Sequence, residues 1–289
     1  MRNEARNMDA SVKARLKNIA KDYKKTFNLI LQLYMQERLL YRLSVSEYKD
    51  NFILKGGLLL FSMTGFTGRP TRDIDFLAYQ ISNDMENIKE IFKNICKIEY
   101  NDSVVFDSNS VLVEEIREEA EYKGVRVKLT GYLGKAKEML WVDIGFNDIV
   151  VPEAIAADYP VLLDMDYPKI KMYTFESVVA EKFEAIVSLG ELNSRMKDFY
   201  DIFILLSEKK FNRDFLQKAI VETFKRRGTD ILKFDQVFKK EFIEDNNRIN
   251  QWKLFLKKIG HQNIEFEYVM DAIKKSLLPI YNNIKKEKE

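Results

Sequence analysis

The chain has 289 residues, enough for one large domain or two ordinary ones, and its 46% hydrophobic share can fill their cores. The formal net charge of +2 shows no overall acidic or basic bias that would point to a particular partner. The single cysteine, Cys96, excludes an internal disulfide and is typical of a reducing compartment. The first 25 residues lack a signal peptide's apolar run, and no segment has the roughly 18 uncharged apolar residues of a membrane helix. We therefore expect a cytoplasmic protein with no membrane contact.

The N-terminal part of the chain alternates helical and extended patterns. Apolar residues recur at helical spacing over 11–44 and predict one or two helices that end near Ser44. The short apolar run 52–54 stops at Gly56-Gly57. Three further elements are predicted in chain order: a helix over 58–63, a strand over 72–79 and a helix over 84–96.

A hairpin and a further strand are predicted in the middle of the chain. The extended segments 111–122 and 125–132 flank Lys123-Gly124, a pair typical of a tight turn. Residues 139–146 form another apolar run of strand length. Together with the preceding elements, these strands predict a sheet with helices beside it.

A cluster of prolines marks the clearest boundary in the sequence. Three of the five prolines lie between residues 152 and 168. After them, apolar residues recur every three to four positions over 175–189 and 196–206, which predicts helices. We therefore predict an α+β domain preceded by N-terminal helices in residues 1–168, and a helical domain in residues 169–289.

Two aspartates on the predicted strand 72–79 carry the strongest chemical signal. Asp73 and Asp75 are two positions apart, so both side chains leave one face with Cα atoms about 6.6 Å apart. Such carboxylates repel each other unless a cation lies between them, and Mg²⁺ prefers oxygen ligands together with waters and substrate phosphates. The pair therefore suits the metals of phosphoryl or nucleotidyl transfer. The same spacing in Asp164 and Asp166 falls in the proline-flanked connection, and we interpret it as loop solvation.

Three further features favour the first pair. Gly56-Gly57 lies one short helix earlier, where backbone N–H groups at a helix start can approach phosphate. Lys55 and Arg69 supply positive charge nearby. A third carboxylate, Asp143, lies within an apolar strand, where a charge is costly to bury unless it is paired in a salt bridge or bound to metal. Both interpretations of Asp143 stay open at this point.

Several motifs occur in a fixed order along the chain. They are the run 37–43, Lys55-Gly56-Gly57, Arg69-x-Thr71-x-Asp73-Ile74-Asp75-Phe76, Val142-Asp143-Ile144-Gly145-Phe146, and the segments 176–183 and 195–201. This order resembles the polymerase-beta-type nucleotidyltransferase core. More closely, it is similar to the AbiEii/AbiGii family of toxin nucleotidyltransferases, which occur in bacterial toxin–antitoxin and phage-defence loci. The resemblance spans about residues 8–206.

The resemblance implies a fold, a metal site and a substrate. It implies a polymerase-beta-like core with a mixed sheet, and Asp73, Asp75 and Asp143 as catalytic ligands of Mg²⁺, with Mn²⁺ as an alternative. It also implies a nucleoside triphosphate as substrate and makes Lys182 a phosphate contact and Asp198 a residue needed for toxicity. The residues expected to bind the nucleotide are Lys55, Gly56, Gly57, Arg69 and Lys182.

The sequence departs from the family at Gly57, where related chains often carry a serine. That serine's hydroxyl touches phosphate or is modified, so Gly57 removes the hydroxyl and leaves only the backbone. From the residues alone, Lys182 also fits a solvated helix face, and the charges around Asp198 fit ordinary i, i+3 pairs. His261, the only histidine, is expected at the surface, which removes histidine-based acid–base chemistry.

We expect an acceptor hydroxyl to attack the α-phosphate of a nucleoside triphosphate held in a cleft between the two domains. The resemblance implies transfer to the 3′ end of tRNA, arrest of translation and growth, and a cognate antitoxin encoded nearby. The basic end of the chain, with 19 Lys or Arg against 13 Asp or Glu over 207–289, agrees with an RNA acceptor. Lys225, Arg226 and Arg227 are candidates to contact its backbone, although solvated helix faces explain them equally well. Two alternatives stay open: an antibiotic-modifying nucleotidyltransferase, and a nucleotide-binding regulator without catalysis.

Overall fold

The computed structural model of the protein describes residues 2–116, 124–148, 150–208, 211–261 and 264–288. It divides into a first unit, Met1–Asp148 with Ile155–Met172, and a second unit, Ile149–Ala154 with Tyr173–Glu289. The observed division after Met172 differs from the predicted boundary at residue 168, because residues 169–172 form a strand of the first unit's sheet. In the described part of the chain, no helix has the length and apolar character needed to cross a membrane.

The first unit combines helices with a mixed sheet. Its helices are α1 (Arg2–Asp22), α2 (Phe27–Ser44), α3 (Gly56–Thr64) and α4 (Met85–Cys96). Its strands are β1 (Phe52–Lys55), β2 (Asp73–Ala78), β3 (Val104–Ile116), β4 (Gly124–Leu133), β5 (Ala136–Gly145), β6 (Ile155–Asp158) and β7 (Lys169–Met172). The predicted helices and strands of this unit are therefore present, and β6 and β7 are additions that the sequence analysis missed.

The strand order in the described sheet is β3-β4-β5-β2-β1-β7-β6. Strands β2 and β5 run parallel, as do β1 and β7, whereas the other neighbours are antiparallel. This mixed sheet, with helices before it and after it, confirms the predicted α+β class. The parallel pair β2–β5 is central to the candidate site, because it places two distant segments of the chain side by side.

The predicted hairpin is present as the antiparallel pair β3–β4, in which Ile116 lies opposite Gly124. Strand β3 begins at Val104, seven residues before the predicted start at residue 111, and its register shifts between Asp107 and Leu112. This irregularity interrupts the polar–apolar alternation, which is why the sequence pattern showed only the second half of the strand. The predicted turn at Lys123 lies outside the described residues.

Alternation along the central strands separates a buried face from a polar face. Ile74, Phe76, Leu140 and Val142 are all buried. Phe76 packs edge-on against Phe52, which in turn contacts Phe92 of α4, so this face lies under the helices. Because successive strand residues point to opposite sides, the residues between them leave the other face of the sheet.

The motif 37–43 anchors α2 to the rest of the first unit. The guanidinium of Arg42 donates to both carboxylate oxygens of Asp102, at 2.7 and 3.1 Å. Glu37 accepts a hydrogen bond from the Leu162 N–H at 2.8 Å, and burial raises the pKa of Glu37 to about 8. Because these charged residues are buried and paired with other residues of the unit, we assign the motif a role in stabilising the fold.

The second unit is helical, as predicted. Its helices are α5 (Phe175–Leu189), α6 (Met196–Glu208), α7 (Arg213–Arg226), α8 (Lys240–Ile243), α9 (Asn246–Ile259) and α10 (Phe266–Lys288), with 3₁₀ segments at Gly190–Leu192 and Ile231–Phe238. Phe183 of α5 packs against Phe224, Phe234 and Phe238. These rings form an aromatic core that fixes α5 within the unit.

Candidate active site

The parallel register of β2 and β5 brings three carboxylates together. Asp75 lies directly opposite Asp143, and Asp73 lies opposite Trp141. Adjacent strands are about 4.8 Å apart, and alternate residues of one strand share a face. Asp73, Asp75 and Asp143 therefore leave the polar face of the sheet as neighbours.

The surroundings of Asp75 disfavour the charged form of its carboxyl. Burial raises the pKa of its carboxyl, and the neighbouring carboxylate of Asp143 raises it further. The N–H of Gly57, which donates to Asp75 Oδ2 at 3.2 Å, and the charge of Lys55 act in the opposite direction. Two adjacent carboxylates with limited hydration favour an arrangement in which a cation lies beside them.

The Gly56-Gly57 corner is shaped around the strand that carries these carboxylates. Gly56 has φ +66°, and a Cβ there would lie 2.0 Å from Asp75 Oδ2. A Cβ at Gly57 would lie 2.5 Å from Thr71 Oγ1. Neither position can carry a side chain unless its neighbour moves, so both glycines allow the close approach of strand and helix.

Asp143 is paired in a bidentate ion pair. Arg126 Nε and its terminal Nη2 donate to the two oxygens of Asp143, each at 2.7 Å, and Asp143 raises the pKa of Arg126. The guanidinium also lies 5.4 Å from the centre of the Trp141 ring. The salt bridge that the sequence left open for Asp143 is therefore present, and any metal at Asp143 would share this carboxylate with Arg126.

Two of the three cations predicted to bind nucleotide, Lys55 and Arg69, lie in the first unit. Lys55 ends β1 directly opposite Asp75, and its Nζ lies 3.6 Å from Asp148 Oδ2. Arg69 is partly exposed on the connection between α3 and β2. Lys55 therefore belongs to the carboxylate cluster by position, whereas the role of Arg69 stays a prediction.

The donor set of this cluster suits Mg²⁺ in its chemistry. Among the described residues, no group of three or more His, Cys, Asp or Glu side chains is arranged to hold a metal ion. Mg²⁺ at phosphoryl-transfer sites typically takes one or two carboxylates and completes its shell with waters and substrate phosphates. The hard oxygens of Asp73, Asp75 and Asp143 are ligands of this kind.

The second unit contains the other two predicted site residues, Lys182 and Asp198. Lys182 Nζ lies 2.9 Å from Asp198 Oδ1 and 2.8 Å from Asp201 Oδ2. Arg195 Nε adds a contact with Asp198 Oδ2 at 2.9 Å. Burial raises the pKa of Asp198, but the charges of Lys182 and Arg195 outweigh it, so the pKa is lowered. The i, i+3 pair considered in the sequence analysis is thus present, and catalytic roles for Lys182 and Asp198 stay predictions.

Arg227, one of the three cations proposed for RNA contact, is committed to an ion-pair network within the second unit. It donates to Glu181 Oε1 at 2.6 Å and to Glu184 Oε2 at 2.8 Å. Thr229 also donates to Glu184. Lys225 and Arg226 are exposed at the end of α7. The solvated-face interpretation is therefore wrong for Arg227, which stabilises the unit.

Comparison with protein families identifies the chain. The family model described as nucleotidyl transferase AbiEii toxin, type IV toxin–antitoxin system, matches residues 38–272. The chain belongs to the AbiEii family. It is therefore a nucleotidyltransferase toxin, and membership of a type IV toxin–antitoxin family implies a cognate antitoxin. The match extends well beyond residue 206, where the resemblance noted in the sequence ended.

Two solved structures are similar to this AbiEii chain. One is JHP933 from Helicobacter pylori, with 13% identity over 91% of this chain and 96% of that chain, and a TM-score of 0.49. The other is a proposed nucleotidyltransferase from H. pylori, with 14% identity over 90% of this chain and 97% of that chain, and a TM-score of 0.46. Comparison with curated proteins gives no significant match.

Sequence reasoning missed residues whose importance depends on strand register. Arg126 lies opposite Asp143 on β4, and Asp201 lies one turn after Asp198 on α6. Asp201 was visible within the motif 195–201, but the sequence offered no sign of its contact with Lys182. His261 is exposed, as expected, and Cys96 is buried, with its pKa raised by burial to about 12.

Proposed function

We propose that this AbiEii toxin transfers a nucleoside monophosphate from a nucleoside triphosphate to the 3′ end of tRNA. The observation that carries the proposal is the register of β2 and β5, which gathers Asp73, Asp75 and Asp143 on one face beside the Gly56-Gly57 corner. The setting we propose is the cytoplasm, where both substrates occur.

In this proposal Asp73, Asp75 and Asp143 hold Mg²⁺, with Mn²⁺ as an alternative. When bound, such an ion offsets negative charge on the phosphates and on the attacking and leaving oxygens. Lys55 adds a fixed positive charge opposite Asp75, and Arg126 orients Asp143 through two hydrogen bonds. Preorganised charges of this kind stabilise a transition state without reorganising during the reaction.

The proposed reaction is a displacement at the α-phosphate. The acceptor oxygen forms a bond to the α-phosphorus, and the bond from that phosphorus to the bridging oxygen breaks, so pyrophosphate leaves. The proton of the acceptor hydroxyl passes to a carboxylate of the cluster, since the single histidine of the chain, His261, lies outside the motifs that carry the site. A nucleotide added to tRNA in this way would block aminoacylation and arrest growth.

The choice of tRNA as acceptor rests on the family and on the charge of the C-terminal segment. The family supports nucleotidyl transfer and toxicity, and the basic C-terminal segment favours a polyanion over a cationic drug. The bidentate pairing of Asp143 supports the rival idea of a catalytically silent regulator, because the carboxylate has a structural partner. Turnover by the purified protein separates these alternatives.

The test supplies each α-labelled nucleoside triphosphate with Mg²⁺ and total cellular RNA, and follows the label by gel and sequencing. The expected result is label at the 3′ end of tRNA from the wild type and none from Asp75→Asn. Expression in cells should be toxic, and Asp73→Ala should relieve the toxicity. Label on an aminoglycoside or a protein, with none on tRNA, would contradict the acceptor. Absence of any transfer would leave the silent regulator.

A further inference from the structure

Gly57 lies close to Thr71, a residue of the segment that leads into the next strand, β2. Gly57 lies at the start of α3, and Thr71 lies two residues before β2 begins at Asp73. Thr71 is buried, and a Cβ built at Gly57 would meet its Oγ1 at 2.5 Å and its Cβ at 2.8 Å. Real Cβ atoms essentially never approach other heavy atoms this closely, so side chains at residues 57 and 71 compete for one space.

Thr71 also contacts the strand that carries the carboxylates. Its Oγ1 donates to the carbonyl oxygen of Asp73 at 3.3 Å. Thr71, Asp73 and Asp75 occupy alternate positions, which places them on one side of an extended chain. One threonine therefore touches both the start of α3 and the backbone of the first aspartate.

Arg72, the residue between Thr71 and Asp73, is held by a different element, the helix α2. Gln32 and Gln36 of α2 both donate their side-chain N–H groups to the carbonyl oxygen of Arg72, at 3.0 and 2.8 Å. Gln36 is fully buried. The segment leading into β2 is thus fixed both by α2, through the Arg72 carbonyl, and by the contact between Thr71 and Gly57.

We propose that Thr71 is a positioning residue, which sets the place of Asp73 and Asp75 relative to the start of α3. Each glycine leaves space for a different side chain: the absence of a Cβ at Gly56 makes room for the Asp75 carboxylate, and its absence at Gly57 makes room for Thr71. This inference rests on the proposed transfer reaction for its kinetic part and on packing alone for its structural part.

The test uses substitutions that distinguish the effect of the Thr71 side chain's shape from the effect of its hydroxyl group. Thr71→Val keeps the shape and removes the hydrogen bond, Thr71→Ser keeps the hydroxyl, and Gly57→Ser forces the short contact. Gly57→Ser with Thr71→Gly moves the hydroxyl to position 57 and clears the space for it. Gly68→Ser is the matched control, because a Cβ there would lie 2.2 Å from Thr64 Oγ1, a similar contact away from the carboxylates.

Three quantities are measured for each variant: kcat, KM for the nucleoside triphosphate, and the unfolding temperature without ligands. Misplacing reacting groups by about 1 Å costs on the order of 100-fold in rate. We therefore expect Gly57→Ser to lose about that much in kcat and the double variant to regain at least tenfold. Thr71→Val should lose on the order of tenfold in kcat while unfolding near the wild-type temperature, and Thr71→Ser should stay close to wild type. Gly68→Ser should lower the unfolding temperature without this loss in kcat.

A fully active Gly57→Ser, a Thr71→Val equal to wild type, or a double variant no better than Gly57→Ser would each overturn the proposal. The unfolding temperatures test the contact without activity. Gly57→Ser alone should lower the unfolding temperature, and adding Thr71→Gly in the double variant should raise it again, at least in part. If the wild type transfers no nucleotide, the proposed function fails, but this thermal cycle still decides whether residues 57 and 71 compete for one space.

Discussion

Asp75 and Asp143 lie directly opposite each other in two parallel strands, although 68 positions separate them in the chain. Placing two carboxylates side by side in a partly buried sheet costs free energy, because each raises the energy of the other's charged form. The fold retains both and adds Lys55 and Arg126 beside them. A group of charges that lowers the stability of the fold is typical of a functional site.

The first prediction concerns metal binding at this pair. Mg²⁺ with a nucleoside triphosphate should raise the unfolding temperature of the wild type, because a ligand that binds only the native state stabilises it. Asp75→Asn should remove this joint effect while leaving the fold intact. Differential scanning fluorimetry checks it, with Asp164→Asn as the control, since Asp164 is exposed in the connection that carries the second Asp-x-Asp pair. Full nucleotide transfer by Asp75→Asn would remove Asp75 from the site.

The second prediction decides between a structural and a functional role for Asp143. If the carboxylate only pairs with Arg126, replacing both residues by apolar ones of similar size should preserve activity. We expect Arg126→Met with Asp143→Leu to remain folded and to lose transfer by at least about 100-fold. Circular dichroism and the transfer assay on the same preparation measure the two outcomes. An active double variant would establish the salt bridge as the whole role of Asp143.

Most of the fold followed from local patterns in the sequence. Helical spacing located α2, α4 and α5, and alternation located β2, because these elements have one buried and one exposed face. Strands β6 and β7 were missed, since each has only four residues; β6 lies within the proline-flanked connection and β7 directly after it. A pattern of two or three alternations is too short to distinguish from a loop.

The candidate site was predictable where its residues are adjacent in sequence and much less so where they meet through register. The two-residue spacing of Asp73 and Asp75 predicted that their side chains share one face of a strand. Arg126 faces Asp143 only because β4 pairs with β5 in one particular register, which no local pattern fixes. The contact between Thr71 and Gly57 likewise depends on how closely a helix start approaches a strand.

The third prediction concerns the buried charges of the second unit. Lys182 lies between Asp198 and Asp201, whose side chains are 1% and 3% exposed. Lys182→Ala would leave two buried carboxylates without this cation, so we expect a loss of about 3–5 kcal/mol in the free energy of unfolding. Chemical denaturation measures the loss, and Lys182→Arg should restore most of it. A variant that unfolds normally but transfers no nucleotide would instead favour the predicted role in catalysis.

The fourth prediction follows from the lowered pKa of Asp198. A carboxyl with a folded-state pKa below its ordinary value of 3.8 stabilises the fold above that pH, and the contribution is lost as pH falls through the lower value. The free energy of unfolding should therefore decrease less steeply for Asp198→Asn than for wild type below about pH 4. Urea unfolding at a series of acidic pH values checks the slope. Equal slopes would show that Asp198 contributes nothing to acid sensitivity.

The last prediction separates the cations at the end of α7, and it rests on tRNA as the proposed acceptor. Lys225 and Arg226 are exposed, whereas Arg227 donates to Glu181 and Glu184. If the exposed pair contacts RNA phosphates, replacing both by Gln should weaken binding and flatten its dependence on salt by roughly 0.7 per lost contact for single-stranded RNA. Arg227→Gln should leave that slope unchanged and lower the unfolding temperature, because it breaks a network inside the unit. Fluorescence anisotropy with labelled tRNA at several salt concentrations measures the slopes. A slope that flattens for Arg227→Gln and not for the exposed pair would place the RNA contact at Arg227 and contradict its assignment to the structural network.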